Sequence, residues 1–366
     1  KLQMVDLKSQ YEKIKEEVNA SIQEVLDTNT YINGPLVHQF QADLEKYLGV
    51  KHVIPCANGT DALQIAMMGL DLKPGDEVIT ADFTFAATVE VIALLQLTPV
   101  LVDVDMNNMN ISLDGIRKAI TPKTKAIVPV HLFGRAANMD AIMEIAKEHN
   151  LYVIEDNAQA IGADYTSKDG SKKKVGTIGH VAATSFFPSK NLGCYGDGGA
   201  IFTNDDKLAH IIRGIVNHGM YERYHHDVVG VNSRLDSMQA GVLKAKLPHL
   251  DTYNKARQDA ARKYSLALGV NPNIWAPTIC ESCDCHVFHQ YVIRILNGKR
   301  DGLLEHLQAK GIPCAIYYPI PLHSQKAYAD ARYNEADFPV TNQLVKEVIA
   351  LPMHTELDDE QIKFIT

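Results

Sequence analysis

The sequence predicts an α/β fold in which a largely parallel sheet is covered on both faces by helices. Short apolar segments recur along the first two-thirds of the chain, and helix-length segments with 3.6-residue spacing separate them. Strands that are apolar on both faces are typical of parallel sheets buried on both sides. The pattern changes after about residue 247, which predicts a large domain over 1–247 and a smaller α+β domain over 248–366. The helix before residue 30 is a candidate to pack against the smaller domain.

Each element follows from this patterning in chain order. The clearest helices of the first part are Ala62–Leu70 and Met139–His149. The second part predicts a charged helix over 251–267, a strand over 286–295, a helix over 300–310 and a second strand after residue 313. The expected strands of the first part are Glu77–Ala81, Thr98–Val104, Ala126–Leu132, Leu151–Ile154 and Val181–Phe187.

Composition argues against several functional classes. Lysine and arginine total 36 and aspartate and glutamate total 44, so the formal charge is −8, which disfavours nucleic-acid binding as the main role. No uncharged apolar run reaches the ~18–20 residues that a membrane span needs. Six cysteines without a spaced framework indicate a reducing compartment, and we expect a cytoplasmic enzyme. The chain begins at Lys1 without an initiator Met or a signal-peptide pattern, so we expect it to be slightly trimmed there.

Three separate motifs carry candidate chemistry. Gly59 and Thr60 open a helix after a short strand, where free N–H groups and a hydroxyl suit a phosphate, although an ordinary helix cap is the alternative. Asp156 ends an apolar strand, at the edge where α/β proteins bind ligands, although a structural role is equally consistent. Lys190 lies in a glycine-flanked turn between two strands, and an amine held there can form a Schiff base with an aldehyde.

Together these motifs match the needs of one cofactor. Pyridoxal phosphate requires a phosphate cup, a carboxylate for its pyridinium nitrogen and a Schiff-base lysine. The chain supplies them in the order that fold-type I pyridoxal-phosphate enzymes have, with Lys190 34 residues after Asp156.

Over essentially its whole length the sequence resembles the DegT/DnrJ/EryC1/StrS family of nucleotide-sugar aminotransferases. This resemblance implies a fold-type I transferase that works as a homodimer with shared active sites. Its most specific stretches are Gly59–Leu63, Glu155–Gln159, Ser185–Gly193 and Gly230–Asp236.

The resemblance also implies a role for each matching residue. Lys190 would hold the cofactor and shuttle a proton, and Asp156 would pair with the ring nitrogen. Gln159 would bind the phenolic oxygen, and Phe85 would stack on the ring, although an ordinary core position is the alternative for Phe85. Ser185 would join Gly59 and Thr60 at the phosphate. The partner subunit's Asn232 would complete that phosphate site.

The reaction that the resemblance implies moves an amino group from an amino acid, expected to be L-glutamate, to a nucleotide-linked keto-sugar. Relatives acting at C-4 tend to carry Gly-Tyr-Asn-Tyr-Arg at the 230–236 motif, whereas this chain reads Gly-Val-Asn-Ser-Arg, which is similar to relatives acting at C-3. We therefore expect a 3-keto sugar, first a glucuronate and second a neutral 6-deoxyhexose. The residues expected near the substrate are Arg234, Tyr317, Tyr318 and His323.

Alternative interpretations of the function and of three motifs stay open at this point. A pyridoxamine-phosphate-dependent sugar dehydratase and a non-catalytic regulator are alternative functions, and Lys190 argues against both. The cysteines at 280, 283 and 285 with His286 resemble half a zinc site, but adjacent strand residues diverge, so we expect no metal and a reduced loop. The lysines at 172–174 predict a solvated hairpin arm. The segment Met220–His226 is either a surface loop or an aid in holding a nucleotide diphosphate.

Overall fold

A seven-stranded sheet forms the centre of the N-terminal part of the chain. The structure is a computed structural model that describes residues 2–279 and 285–366. The strands found in these ranges are β1 (His52–Cys56), β2 (Glu77–Ala81), β3 (Thr98–Val102), β4 (Thr124–Val128), β5 (Tyr152–Asp156), β6 (Asp164–Thr166), β7 (Lys172–Lys174), β8 (Val181–Ser185), β9 (Gly199–Thr203), β10 (Met220–Glu222), β11 (His225–His226), β12 (Ile274–Trp275), β13 (Tyr291–Ile295) and β14 (Val348–Leu351).

Helices precede, connect and follow these strands. Across the same ranges they are α1 (Leu7–Thr28), α2 (Pro35–Leu48), α3 (Gly59–Gly69), α4 (Ala87–Leu94), α5 (Leu113–Ala119), α6 (Met139–His149), α7 (Asp206–Ile215), α8 (Ser237–Lys246), α9 (Leu250–Leu268), α10 (Arg300–Ala309), α11 (Pro339–Glu347) and α12 (Asp359–Ile365). No helix in the described part of the chain is both long and apolar enough to cross a membrane.

The order of strands in the main sheet is β1-β9-β8-β5-β4-β2-β3. The five strands from β8 to β3 are parallel, while β9 runs antiparallel to both β8 and β1. Alternate residues of β5 point to opposite faces of the sheet, since Val153 belongs to one buried cluster and Ile154 to another. The expected α/β sheet with both faces covered is therefore confirmed.

Local sequence explains where the key helices begin. Asn58 caps α3, because its side chain accepts a hydrogen bond from the Asp61 N–H at 2.8 Å. Asn138 caps α6 in the same way at 3.3 Å, and Asn150 ends that helix in the left-handed conformation. The helix expected over 139–149 has these bounds in the structure.

The C-terminal part contains a second sheet of three antiparallel strands, β12-β13-β14. The strand expected over 286–295 is wrong in its first half, since β13 begins only at Tyr291, and Phe288 has a left-handed backbone with φ of 45°. The second strand expected after residue 313 is reduced to an isolated bridge between Ala315 and Ala350, and β14 takes its place. Periodicity alone could not anticipate a turn inside an apolar run.

Helix α1 packs mainly on α8, where Ile14 and Val18 meet Val242 and Ala245. It also contacts the C-terminal part of the chain, since Gln10 donates from Nε2 to the Thr355 hydroxyl at 3.3 Å. The first helix thus touches both parts, and the division of the chain at residue 247 stays a prediction.

Candidate active site

The candidate residues gather at the carboxyl ends of the parallel strands. Asp156 ends β5, Ser185 ends β8, and the segment 82–86 follows β2. Parallel strands deliver their C-terminal residues to one edge of a sheet, so residues distant in sequence meet there.

Lys190 lies in the turn between β8 and β9. Its backbone N–H bonds the Phe187 carbonyl at 2.8 Å, which closes the turn. Burial lowers the pKa of the Lys190 amine to about 8, and the nearby Asp156 carboxylate opposes this effect. An amine with this pKa is neutral in about a tenth of molecules at pH 7, far more than an ordinary lysine, and the neutral form is the nucleophile.

Asp156 is a buried carboxylate whose hydrogen-bond donors are neutral. One oxygen accepts from the Thr88 hydroxyl at 2.7 Å and the other from the Ala158 N–H at 3.1 Å. Burial raises the pKa of this carboxyl, and these two hydrogen bonds and the charge of Lys190 oppose the rise. A buried carboxylate without a hydrogen-bonded cation suits a ligand that brings a positive charge.

Gly59, Thr60 and Ser185 meet where α3 begins. A Cβ atom on Gly59 would lie 2.7 Å from the Cβ of Ser185, so the absence of a side chain lets the start of α3 come this close to the end of β8. The first turn of α3 offers free N–H groups beside Ser185, and Thr60 and Ser185 add hydroxyls. This arrangement can hold a phosphate.

Phe85, Gln159 and Tyr318 form a second side of the site. Phe85 is 59% exposed, and its ring centroid lies 6.3 Å from that of Tyr318. Gln159 donates from Nε2 to the Tyr318 hydroxyl at 3.2 Å and accepts the Phe133 N–H at 2.6 Å. An exposed aromatic ring beside amide and phenol groups suits a flat, polar ring ligand.

These groups fit pyridoxal phosphate. The carboxylate can accept a hydrogen bond from the protonated ring nitrogen, the N–H groups and hydroxyls beside Gly59 can bind the phosphate, and the Lys190 amine can bind the aldehyde. The fit rests on the neutral donor set of Asp156 and on the contact that a Gly59 side chain would make.

Asn232 and Arg234 lie in a separate open cleft of about 520 Å³, lined also by Asn58 and Gly196. Arg234 donates from Nη1 to the Asn217 side chain at 2.9 Å, and its Nε is buried without a partner in the described ranges. Asn232 is exposed. The cleft borders the residue that precedes Gly59, so both side chains are near a phosphate cup although neither closes it within one chain.

His323 is held by a carboxylate at the end of β2. Its imidazole is buried and bonds the Asp82 carboxylate through Nδ1 at 2.7 Å, and its backbone N–H bonds the other oxygen of Asp82 at 2.7 Å. These bonds fix the segment that carries Tyr317 and Tyr318 to the end of β2, and the contact expected between His323 and the substrate stays a prediction. Tyr317 is partly buried, with its ring 5.9 Å from that of Tyr318.

The sequence did not predict a role for two further residues. Thr88 donates to Asp156, but its position one residue into α4 gives no sign of a partner on β5. Glu155 precedes Asp156 in the stretch Glu155–Gln159, and the sequence gives it no role of its own. In the structure it points to the opposite face, where it accepts hydrogen bonds from His131 and three backbone N–H groups.

Three other motifs can now be located. The lysines at 172–174 lie on the hairpin β6–β7, as expected. The segment 220–226 is a second hairpin, in which Tyr221 stacks on His210 at 4.2 Å, and its role toward a diphosphate stays a prediction. Cys285 is disulfide-bonded, so the expectation of a reduced loop is wrong at this residue. Cys280 and Cys283 lie outside the described residues.

Comparison with known proteins identifies relatives over the full chain. The sequence profile of the DegT/DnrJ/EryC1/StrS aminotransferase family matches residues 12–366. The chain is 47% identical over 364 residues to the UDP-2-acetamido-2-deoxy-3-oxo-D-glucuronate aminotransferase of Pseudomonas aeruginosa, covering 100% of this chain and 98% of that relative. It is 45% identical over 359 residues to the UDP-N-acetyl-3-dehydro-alpha-D-glucosamine 3-aminotransferase of Acidithiobacillus ferrooxidans, covering 98% of this chain and 94% of that relative.

A solved structure has a similar fold and contains a bound cofactor. The crystal structure of NtdA from Bacillus subtilis, which contains its bound cofactor PMP (pyridoxamine phosphate), is 30% identical to this chain and superposes with a TM-score of 0.88. The alignment covers 96% of this chain and 80% of that one.

Proposed function

The chain belongs to the DegT/DnrJ/EryC1/StrS aminotransferase family, and we propose that it aminates C-3 of a nucleotide-linked 3-keto sugar with L-glutamate as donor. Its cofactor is pyridoxal phosphate, which becomes pyridoxamine phosphate when it carries the amino group. The names of both relatives contain a 3-oxo or 3-dehydro sugar, which supports amination at C-3. A charged diphosphate does not cross membranes unaided, which supports a cytoplasmic location.

The observation that carries the proposal is that a desolvated amine and a buried carboxylate lie at the same edge of the sheet. Pyridoxal phosphate, when bound, supplies an aldehyde that carries the amino group and a ring that takes up electron density. We assign Lys190 to the covalent bond with the cofactor and to proton transfer at the reacting carbon. Asp156 keeps the ring nitrogen protonated, and its neutral donors leave it free to do so.

The remaining side chains are assigned to binding. Thr60 and Ser185 bind the phosphate beside Gly59, and Phe85 covers one face of the ring. Gln159 binds the phenolic oxygen, a role supported by its present bond to the Tyr318 hydroxyl. Tyr317, Tyr318 and Arg234 are assigned to the sugar nucleotide.

The test of the covalent role exploits a second buried lysine. Burial lowers the pKa of Lys246 to about 8, as it does for Lys190, but Lys246 donates to the Gly193 carbonyl at 2.8 Å. Adding pyridoxal phosphate and then borohydride should fix the cofactor on the peptide that contains Lys190. Lys190→Ala should abolish this labelling and turnover while the protein still folds and binds pyridoxamine phosphate. Labelling of Lys246 instead, or turnover above a few per cent in Lys190→Ala, contradicts the assignment.

We further propose a homodimer in which Asn232 and Arg234 complete the partner's site. Their position in an open cleft beside Asn58 supports this arrangement. Lys190→Ala chains mixed with Asn232→Ala chains should regain part of the activity, because each hybrid dimer contains one intact site. Hybrids that form but stay inactive would refute the shared site.

The choice of sugar is tested by product structure. A 3-keto-glucuronate is the leading acceptor, and a neutral 3-keto sugar is the second candidate, since each is close to the substrate class in one relative's name. Each keto-sugar is supplied with glutamate, and NMR locates the new C–N bond. Amination at C-4 would contradict the proposed C-3 position. C-3 amination of the neutral sugar alone would show that Arg234 does not bind a sugar carboxylate.

A further inference from the structure

The segment 232–237 presents two different faces. Alternate residues line the open cleft, and the residues between them are buried. The cleft face consists of Asn232, Arg234 and Asp236, and the buried face consists of Ser233, Leu235 and Ser237. This period of two is that of an extended chain, whose successive side chains point to opposite sides. Asn232 and Arg234 are assigned to the partner's site, whereas the buried face has no role so far.

The first residue of the buried face holds the loop that leads to the proposed phosphate site. The side chain of Ser233 is fully buried, and its hydroxyl oxygen accepts a hydrogen bond from the Ala57 N–H at 3.1 Å. Ala57 immediately precedes Asn58, the residue that caps α3. Ser233 therefore bonds the chain two residues before Gly59, where the free N–H groups of the helix begin.

The same loop is also held from the side of the sheet. A Cβ atom on Gly199, the first residue of β9, would lie 2.4 Å from the carbonyl carbon of Asn58. The thiol of Cys56, the last residue of β1, donates to the Asn58 carbonyl at 3.4 Å. The loop thus lies between the sheet on one side and Ser233 on the other, so its position depends on both.

The backbone of Ser233 is fixed by the C-terminal end of α7. Its N–H bonds the Val216 carbonyl at 3.0 Å, and the Val231 N–H bonds the Ile215 carbonyl at 2.8 Å. Helix α7 ends at Ile215, so both acceptors belong to its last turn and cap. These two hydrogen bonds fix the place from which the hydroxyl of Ser233 reaches Ala57.

The next residue of the buried face contacts the region of the proposed covalent lysine. Leu235 belongs to the same buried cluster as Phe186 and Leu192, which lie on either side of Lys190 in the sequence. A Cβ atom on Gly198 would lie 3.0 Å from Cδ1 of Leu235. The buried face therefore packs against the site of its own chain, and Ser233 makes its hydrogen bond to the phosphate side of that site.

We propose that Ser233 is a positioning residue for the cofactor phosphate of its own chain, because it fixes the Ala57 N–H and with it the N-terminus of α3. The inference rests on the proposed function for the identity of the ligand. Three consecutive residues then act on two sites of the homodimer. Ser233 acts on the site of its own chain, whereas Asn232 and Arg234 act on the site of the partner.

Ser233→Ala removes the acceptor, and Ser237→Ala is its matched control. Ser237 is equally buried, and its hydroxyl accepts the Gly34 N–H, also at 3.1 Å. Ser233→Cys is the backup, because it keeps a side chain of similar size and replaces the hydroxyl by a weaker acceptor. Ser233→Ala should speed amide hydrogen exchange at Ala57, and Ser237→Ala should speed it at Gly34. Unchanged exchange at Ala57 overturns the proposal.

The first binding measurement compares pyridoxal phosphate with pyridoxal, which lacks the phosphate. Loss of one hydrogen bond that positions the loop should raise the Kd for pyridoxal phosphate about 3- to 10-fold in Ser233→Ala, with a smaller rise in Ser233→Cys. The Kd for pyridoxal should match wild type, and Ser237→Ala should match wild type for both ligands. An unchanged Kd for pyridoxal phosphate, an equal rise for both ligands, or the same rise in Ser237→Ala overturns the proposal. Failure of the proposed function would appear separately, as wild-type protein that binds pyridoxal phosphate but aminates no keto-sugar.

The second measurement places Ser233→Ala on one chain of a hybrid dimer. Lys190→Ala chains and Asn232→Ala chains form hybrids with one intact site, whose lysine belongs to the Asn232→Ala chain. Adding Ser233→Ala to that chain should raise the pyridoxal phosphate concentration needed for half-maximal activity by the same factor as the Kd. Adding it to the Lys190→Ala chain should leave this concentration unchanged. The reverse pattern, or an equal effect from both chains, overturns the proposal.

Discussion

Replacing Glu155 by glutamine tests whether the first carboxylate of the Glu-Asp-Asn-Ala-Gln motif is structural. Both of its oxygens are fully buried, and together they accept four hydrogen bonds. Oε1 accepts from His131 at 2.9 Å and the Gly176 N–H at 2.8 Å, and Oε2 accepts from the N–H groups of Ile178 and Gly179 at 2.8 and 2.7 Å. His131 also accepts the Ala137 N–H at Nδ1, so it donates from Nε2 as a neutral ring.

The cost of Glu155→Gln follows from this donor set. A glutamine keeps one oxygen, which can accept two of the four bonds, and turns an NH2 group toward the other two donors. Each hydrogen bond to a charged acceptor is worth about 1.5–3 kcal/mol, so losing two lowers the free energy of unfolding by roughly 3–6 kcal/mol. The matched control is Glu144→Gln, because Glu144 pairs with Lys168 at 2.9 Å on the surface, and an exposed pair contributes about 0–1 kcal/mol.

The assay is urea unfolding of the two variants and wild type at one protein concentration, with amide exchange as a local probe. Glu155→Gln should lower the midpoint and speed exchange over residues 176–179, while Glu144→Gln should match wild type in both. Since the pKa of Glu155 is lowered in the fold, its contribution is present above the unfolded pKa and is lost as pH falls through the folded pKa. Equal midpoints for both variants, or unchanged exchange over 176–179, would refute the structural role.

Three further predictions concern the proposed cofactor site. Gly59→Ala should raise the Kd for pyridoxal phosphate at least about tenfold, since its Cβ would lie 2.7 Å from Ser185, while Gly302→Ala, with open space around it, should bind normally in the same absorbance titration. Asp156→Asn should lower the pKa of Lys190 below about 8 in competitive labelling, because the carboxylate raises it; an unchanged or higher pKa contradicts their proximity. Thr88→Val should raise the pKa of Asp156, so cofactor affinity should fall at a higher pH than in wild type during acidification, and identical pH profiles would argue against this bond.

Much of the fold could be predicted because its signals are local. For a strand that is apolar on both faces, such as 77–81, the composition predicts the bounds. The helices between the strands predict that its neighbours are parallel to it. The strand expected at 286 failed because Phe288 adopts a left-handed backbone and Arg257, some 30 residues earlier, bonds the carbonyls there. The periodicity of the segment gives no information about its contact with Arg257.

The site residues also divide into those that the sequence could predict and those that it could not. The motifs around Gly59, Asp156 and Lys190 could be found from sequence because each joins a strand end to a turn with a characteristic residue. The contact of His323 with Asp82 could not be predicted, because Asp82 lies 241 residues away and a histidine in a loop gives no sign of whether a carboxylate covers it. Glu155 and Asp156 are adjacent in sequence, but a strand turns them to opposite faces, so only the contacts distinguish their roles.

The two buried lysines show why residue type and pKa do not identify a catalytic amine. Burial brings the pKa of both Lys190 and Lys246 to about 8. Lys246 donates to the Gly193 carbonyl and lies 4.8 Å from the centre of the Tyr195 ring, so its hydrogen-bonding and charge are largely satisfied where it is. Lys190 has a buried carboxylate nearby, but none of the described residues accepts a hydrogen bond from its amine. An amine that the protein satisfies is structural, whereas one left with unused donors near a buried carboxylate is free to react with a ligand.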